Sequence, residues 1–337
     1  MFRNILGLVL ALSCASAHAA SDCKLMRINE WQVKPQTGRL YVAGAINGQK
    51  VDILLDTGAA SSFVVRAAAD RLGLTRHEAP GYRAYGVGGE THVEYAVIDE
   101  LTIGSATRRN WRTFVFGEHA LERPYAFLLG YDFFDQVDVE FDLAHDAVRI
   151  FQTKDCDNVS LAYWAKGGAG VVPLETDNEK PGIIVAVKLN DRPFLAELDT
   201  GASRSVVSRL VAANLGLDAA SGNAKAAGQV GGIGAARMDA YVATFDSFTI
   251  GDELIRNPTI GFTSLEVGST ATGSRLAAVR EIRDMLLGVD FLRAHRVLVS
   301  HSQRKLYFTY AGGPVFTRPP PPQKPAAPPP TDPASQR

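Results

Sequence analysis

Residues 53–59 read Ile-Leu-Leu-Asp-Thr-Gly-Ala, and residues 196–202 read Ala-Glu-Leu-Asp-Thr-Gly-Ala. The shared Leu-Asp-Thr-Gly-Ala recurs at an offset of 143 residues, and much around it recurs at the same offset. Asn47-Gly48 and Asn190-Asp191 stand just ahead of the two apolar runs. Ser62, Val64 and Arg66 match Ser205, Val207 and Arg209, Leu72-Gly73-Leu74 matches Leu215-Gly216-Leu217, and Gly88-Gly89 matches Gly231-Gly232. Further on the offset grows. Thr102-Ile103-Gly104 matches Thr249-Ile250-Gly251, and Leu128-Leu129-Gly130 matches Leu286-Leu287-Gly288, each continuing as Gly-x-Asp-Phe.

Matches in this order over so long a stretch mark a duplication, with copies at 39–151 and 170–308. Two copies suggest a pseudo-symmetric pair, because a solenoid needs more units to bury its faces. Asn-Gly and Asn-Asp before an apolar run are hairpin turns. The segments around 93–103, 137–151 and 296–309 are rich in β-branched and aromatic residues. Only 64–73, 207–215 and 276–285 carry helical spacing. The expected class is all-β with a few short helices.

Asp56 and Asp199 each end an apolar strand. A charge there is costly unless a partner or a function compensates. The glycine two residues later suggests a tight turn or a close approach of backbone. If the copies pack about a two-fold axis, the two carboxylates meet on it and share a proton. One is then a general base and the other a general acid, with water between them.

Here the chain resembles the aspartic peptidases, and within them the retropepsin-like group. The resemblance rests on the duplicated Asp-Thr-Gly-Ala, the glycine-rich hairpins and the later Leu-Leu-Gly, and spans roughly 39–310. It implies two retropepsin-like β-barrel lobes with Asp56 and Asp199 as the catalytic pair. Thr57 and Thr200 would bond across the axis, and Gly58 and Gly201 would lend N–H groups to the carboxylates. Tyr85-Gly86-Val87-Gly88-Gly89 looks like a flap over the substrate. Its counterpart, Val230-Gly231-Gly232-Ile233-Gly234, lacks the tyrosine. The implied activity is aspartic endopeptidase, acting on an extended peptide bound as a strand. No metal or organic cofactor is expected, and one chain supplies both aspartates, so a monomer is expected. Pepsin-type members carry Ser or Thr after the glycine, whose hydroxyl lowers the carboxylate pKa. Ala59 and Ala202 stand there instead, as in retropepsins, so a milder pH optimum is expected.

Two rivals share this fold: a non-catalytic peptide- or protein-binding module, and a processing protease of narrow specificity. A binding module does not need both carboxylates. Asp132 and Asp290 read as structural. The seven histidines show no metal-ligand spacing, and His295 and His301 are expected at the surface. There is no Cys-x-x-Cys, no P-loop, no complete dinucleotide fingerprint and no nucleophilic serine elbow.

Composition agrees with an ordinary globular chain: 337 residues, 46% hydrophobic, 21% charged and a net charge of −1. Disorder of the whole chain is excluded, and no basic field points to nucleic acid or anionic membrane. Residues 1–20 have a secretory signal's basic start, apolar centre and Ala17-His18-Ala19 cleavage site. The apolar run 5–12 is too short to span a bilayer. The mature chain is expected to begin near Ala20 and to be periplasmic or secreted. Cleavage removes Cys14 and leaves Cys23 and Cys156, expected to pair in an oxidising compartment. Ahead of Cys14, Ala11-Leu12-Ser13 is a poor lipidation signal. Asn158-Val159-Ser160 matches the glycosylation sequon. From Pro314 onward, 24 residues hold 10 of the 17 prolines and should lie outside the packed core. The expected layout is a signal at 1–19, lobes at 20–160 and 161–313, and a tail at 314–337. Whether 20–38 is a pro-segment or part of the first lobe stays open.

Overall fold

The computed structural model describes residues 22–34, 38–87, 89–116, 124–176, 181–220, 222–232, 236–267, 280–281 and 283–316. The expected signal, Cys14, Gly88 and the tail beyond residue 316 lie outside these.

Each copy begins with the hairpin its turn dipeptide announced. Asn47 and Gly48 have φ of 48° and 78°, and Asn190 and Asp191 have 48° and 61°. Positive φ at both central residues is the geometry that matches strand twist. The turns join Tyr41–Ile46 to Gln49–Leu55, and Ile184–Leu189 to Arg192–Leu198. The turn asparagines serve a second purpose. Asn47 Oδ1 accepts from Glu100 N–H at 3.0 Å, and Asn190 Oδ1 from Asp246 N–H at 2.8 Å.

In the first copy the strands Tyr41–Ile46, Gln49–Leu55, Phe127–Leu129, Phe63–Val65, Ala106–Phe116 and Gly89–Ile103 pair in that order. Gly89–Ile103 then returns to pair with Tyr41–Ile46, which closes a six-stranded barrel. In the second copy the order is Ile184–Leu189, Arg192–Leu198, Met285–Leu287, Val206–Ser208, Thr259–Thr263 and Met238–Thr244. The strand equivalent to Gly89–Ile103 is broken here at Phe245-Asp246. Its second piece, Ser247–Ile250, pairs back with Ile184–Leu189. Phe245 is buried at the break and donates its N–H to Pro258.

The copies are joined by a six-stranded antiparallel sheet. Its order is Gly170–Pro173, Lys305–Tyr310, His295–Ser300, Asp138–Asp142, Ala147–Lys154 and Lys24–Lys34. The central pair matches Val297 with Phe141, one strand from each copy. Residues 24–34 are therefore a strand of this sheet, with Trp31 buried, and Val33 continues the pairing to Val42. Cys23 and Cys156 form a disulfide that pins this strand's start just beyond Lys154. A disulfide is compatible with export. Among the described residues no helix is long and apolar enough to cross a membrane.

The fold is all-β with four short helices among the described residues, as expected. Helices Arg66–Arg71 and Arg209–Asn214 lie where helical spacing placed them. The third placement, 276–285, is corrected. Arg280–Glu281 and Met285–Leu287 are strands, and 276–279 and 282 lie outside the described residues. Strand pairing overrides local spacing, because Met285–Leu287 is buried between two neighbours. The remaining helices, Tyr131–Phe134 and Val289–Ala294, follow the two Leu-Leu-Gly segments.

Two further expectations are corrected. Val315 and Phe316 pack on the core, with Phe316 edge-on to Phe248 at 5.1 Å. These apolar residues precede the proline run and can still be buried. His295 is 1% exposed, stacked on Phe291, with Nε2 3.0 Å from Glu253. His301 is also largely withdrawn from solvent, and burial lowers its pKa.

Candidate active site

The local scaffold is the same in both copies. The strand ending at Leu55 runs parallel to Phe127–Leu129, and the strand ending at Leu198 runs parallel to Met285–Leu287. Asp56 N–H donates to Leu129 O and Asp199 N–H to Leu287 O, both at 2.9 Å. Each Leu-Leu-Gly segment thus holds the backbone of its Asp-Thr-Gly turn. Gly130 and Gly288 have no room for a side chain. A Cβ would lie 2.7 Å from the backbone of Ser61 and 2.4 Å from that of Arg204.

Beneath each turn sits a polar clamp. Ser62 Oγ donates to Asp132 Oδ1 at 2.6 Å and accepts from Gly130 N–H at 2.9 Å. Ser205 Oγ does the same with Asp290, at 2.7 Å, and Gly288, at 3.0 Å. Asp132 and Asp290 are structural in this sense. Their serine partners were visible as a repeat match but carried no assigned role.

The two turns interlock. Thr57 N–H donates to Thr200 Oγ1 at 2.9 Å, and Thr200 N–H to Thr57 Oγ1 at 3.1 Å. Each hydroxyl then donates across the junction, Thr57 to Leu198 O at 2.5 Å and Thr200 to Leu55 O at 2.8 Å. Both threonines are fully buried, so these bonds satisfy groups that water cannot reach.

The grip brings Asp56 and Asp199 face to face. A Cβ on Gly58 would lie 2.5 Å from Asp199 Cγ, and one on Gly201 would lie 2.4 Å from Asp56 Cγ. Each carboxyl rests on the other copy's glycine, a second reason for glycine there. Asp56 Oδ1 accepts from the N–H groups of Gly58 and Ala59 at 3.1 Å. Asp199 Oδ1 accepts from Gly201 at 2.8 Å and Ala202 at 3.1 Å. Burial pushes the Asp56 pKa well above the ordinary carboxylate range, and the charge of Asp199 adds to this. Arg39 and the two N–H groups pull it back only in part. Burial also raises Asp199, against its N–H donors, its hydrogen bond with Asp56 and the charge of Arg39. Two carboxyls so placed cannot both ionise easily.

The pair lies at the floor of a cleft of about 1260 Å³ between the copies. Tyr85, Gly86, Val87, Gly231 and Gly232 line the same cleft. In the first copy's hairpin Tyr85 pairs with Glu90 and Gly86 with Gly89. Gly89 has φ +106°, a turn conformation that L side chains rarely adopt. The second hairpin joins Ala224–Val230 to Met238–Thr244. Cys23 and Cys156 lie elsewhere, at the edge of the central sheet. Arg39, in the cleft and electrically tied to both aspartates, carried no motif in the sequence. Its one signal was that its repeat-mate is Gly182.

His92 meets two carboxylates in space that sequence spacing did not suggest. Ligand atoms of Glu78, His92 and Glu94 lie within 4.8 Å of one another. Glu94 is engaged by Arg66 at 3.0 Å and Arg76 at 2.8 Å. These residues do not line the cleft.

A family model described as aspartyl protease matches residues 42–133 and 185–291, one stretch in each copy and more than half of the chain. Comparison with curated proteins finds no match.

Proposed function

The chain belongs to the aspartyl protease family, and from that premise we propose that it is an endopeptidase whose catalytic pair is Asp56 and Asp199. One observation carries the reading: two carboxyls, one from each copy, packed on each other's glycine and coupled at the floor of an open cleft.

The proton belongs to the pair; written with it on Asp56, Asp199 is the base. Water between them gives a proton to Asp199 as its oxygen bonds the scissile carbonyl carbon. Asp56 gives its proton to the carbonyl oxygen, which makes a neutral gem-diol. Asp199 then protonates the amide nitrogen, and one diol hydroxyl returns its proton to Asp56. The C–N bond breaks, leaving a carboxylic acid and an amine. No covalent enzyme intermediate forms. The peptide lies extended beneath the hairpins, main chain to main chain. Both aspartates belong to one chain, so a monomer suffices, and the protein acts after export.

The test is cleavage of a diverse peptide mixture from pH 3 to 7, read by mass spectrometry, with Asp199→Asn alongside. Cutting by the wild type and not by the variant supports the dyad. Equal cutting by both, or none by either, overturns it. Activity per molecule that stays constant on dilution supports the monomer, and loss on dilution contradicts it.

A further inference from the structure

The two ends of the cleft are built from the same repeat positions, yet their chemistry differs. At the first copy's end stand Ser61, Phe63, Phe114 and Phe116. Phe63 and Phe116 pack at 4.7 Å, and Tyr82 from the hairpin adds its ring to Phe114 at 5.8 Å. The equivalent residues at the second end are Arg204, Val206, Gly261 and Thr263. Register fixes the equivalence. Phe63 pairs with Phe114 and Val65 with Phe116, just as Val206 pairs with Gly261 and Ser208 with Thr263. The first end is richer in aromatic rings, while the second, where Tyr241 stacks on Phe262 at 5.5 Å, has an arginine at the position of Ser61.

A second arginine reaches this end from the other copy. Gly38 abuts Ser203, since a Cβ on it would lie 2.9 Å from Ser203 Cβ. Arg39 and Arg204, the next residues, both line the cleft. At the other end the repeat-mates of Arg39 and Arg204 are Gly182 and Ser61. The space above Gly182 holds Glu197, which Arg283 pairs with at 2.7 Å. That end carries no net charge from these groups. Arg237, beneath the second hairpin, adds a third cation to the cleft wall.

Among the described residues, no salt bridge ties Arg39, Arg204 or Arg237 to a carboxylate. The acid near Arg204 is Asp290, whose Oδ1 accepts from Ser205 N–H and Oγ and from Phe291 N–H and whose charge Arg204 stabilises from beyond salt-bridge distance. Arg39 feels the aspartate pair and Arg204 feels Asp290, but neither is locked in a salt bridge, and cations held this loosely in a cleft wall attract an anionic ligand. An extended peptide brings such a group as Asp or Glu.

We infer that the substrate carries an acidic side chain on one side of the scissile bond, held at the end of the cleft that Arg39 and Arg204 line. This rests on the endopeptidase reading. The opposite side of the bond meets the aromatic end.

The experiment uses the full signal-cleaved chain and a diverse peptide mixture, with every cut position scored. Asp and Glu should be enriched roughly fivefold at one or two positions on one side of the cut, on the scale of a partly exposed ion pair. Arg204→Ser, which installs the first copy's residue, and Arg39→Gln should each reduce that enrichment towards one. Raising the salt to about 0.5 M should reduce it in the wild type as well, a readout that needs no variant to fold. Cutting without acidic enrichment, or enrichment indifferent to both arginines and salt, overturns the inference and leaves the endopeptidase reading intact. If nothing is cut, labelled peptides differing only as Glu or Gln are titrated onto Asp199→Asn and read by anisotropy. Tighter binding of the Glu peptide keeps the inference while the hydrolytic reading falls. Equal binding, or none, overturns the inference.

Discussion

Val87 and Gly232 meet across the mouth of the cleft: a Cβ on Gly232 would lie 2.6 Å from Val87 O. The two residues come from different copies, and both line the cleft that holds the aspartates. Gly232→Val should force them apart, since backbone cannot yield as a flexible side chain can. We expect KM for a cleaved peptide to rise roughly tenfold with a smaller change in kcat, on the scale of an overpacked contact. Steady-state kinetics at several substrate concentrations checks this. An unchanged KM would mean that the two residues do not need to meet.

The pH dependence follows from the raised pKa values of Asp56 and Asp199. A carboxyl whose folded pKa lies above its unfolded value binds more protons folded than unfolded. Stability then falls as pH rises from about 3.9, the unfolded carboxylate value, through the folded pKa. Asp56→Asn, whose side-chain oxygen can still accept from Gly58 and Ala59, removes that penalty. The variant should melt higher than the wild type at pH 7, and the gap should close below about pH 3. Thermal melts across pH 2.5–8 report it. In the active protein the singly protonated pair should persist to milder pH than for free aspartate, and cleavage should fade as that last proton leaves.

Thr57 and Thr200 offer a separable test. Replacing either with valine keeps the shape, removes the hydroxyl, and strands a buried N–H and a buried carbonyl. Each change should destabilise by about 1–3 kcal/mol. The four bonds divide two and two between the hydroxyls and none is common to both, so the double variant should cost about the sum of the singles. Chemical denaturation of the three variants measures this. A double variant costing far less than the sum would mean that one substitution already opens the junction.

The disulfide between Cys23 and Cys156 closes a loop across a sequence separation of 133 residues. Its removal should destabilise by about 2–5 kcal/mol. The double variant Cys23→Ser/Cys156→Ser, compared with the wild type with and without reductant, gives the number. Oxidised and reduced wild type should differ by a similar amount.

How far these features could be read in advance depended on whether they repeat. The duplicated Leu-Asp-Thr-Gly-Ala announced the barrels and the facing aspartates, because both copies must satisfy the same local geometry. Turn dipeptides at 47–48 and 190–191 worked for the same reason. What lies outside the repeat was harder to see. Lys24–Lys34 gave no hint that it would extend the central sheet, since its neighbours are residues 41–42 and 147–154. Met285 ended a stretch of helical spacing but begins the strand Met285–Leu287, because pairing on both sides outweighs propensity. His295 looked like a surface residue until Phe291 and Glu253 were found packed on it. Arg39 stands alone in sequence and becomes informative only beside Arg204, from the other copy.

The central sheet also sets when a site can exist. Asp56 lies in the first fifth of the chain, but the strand that joins the copies, His295–Ser300, is near the end of the described residues. A nascent chain emerging from its ribosome therefore carries a complete first barrel with a solitary aspartate. Asp199 follows later, and its support from Leu287 arrives only with the last described strands. Whatever the paired carboxyls do, they can do it only once nearly the whole chain has been made.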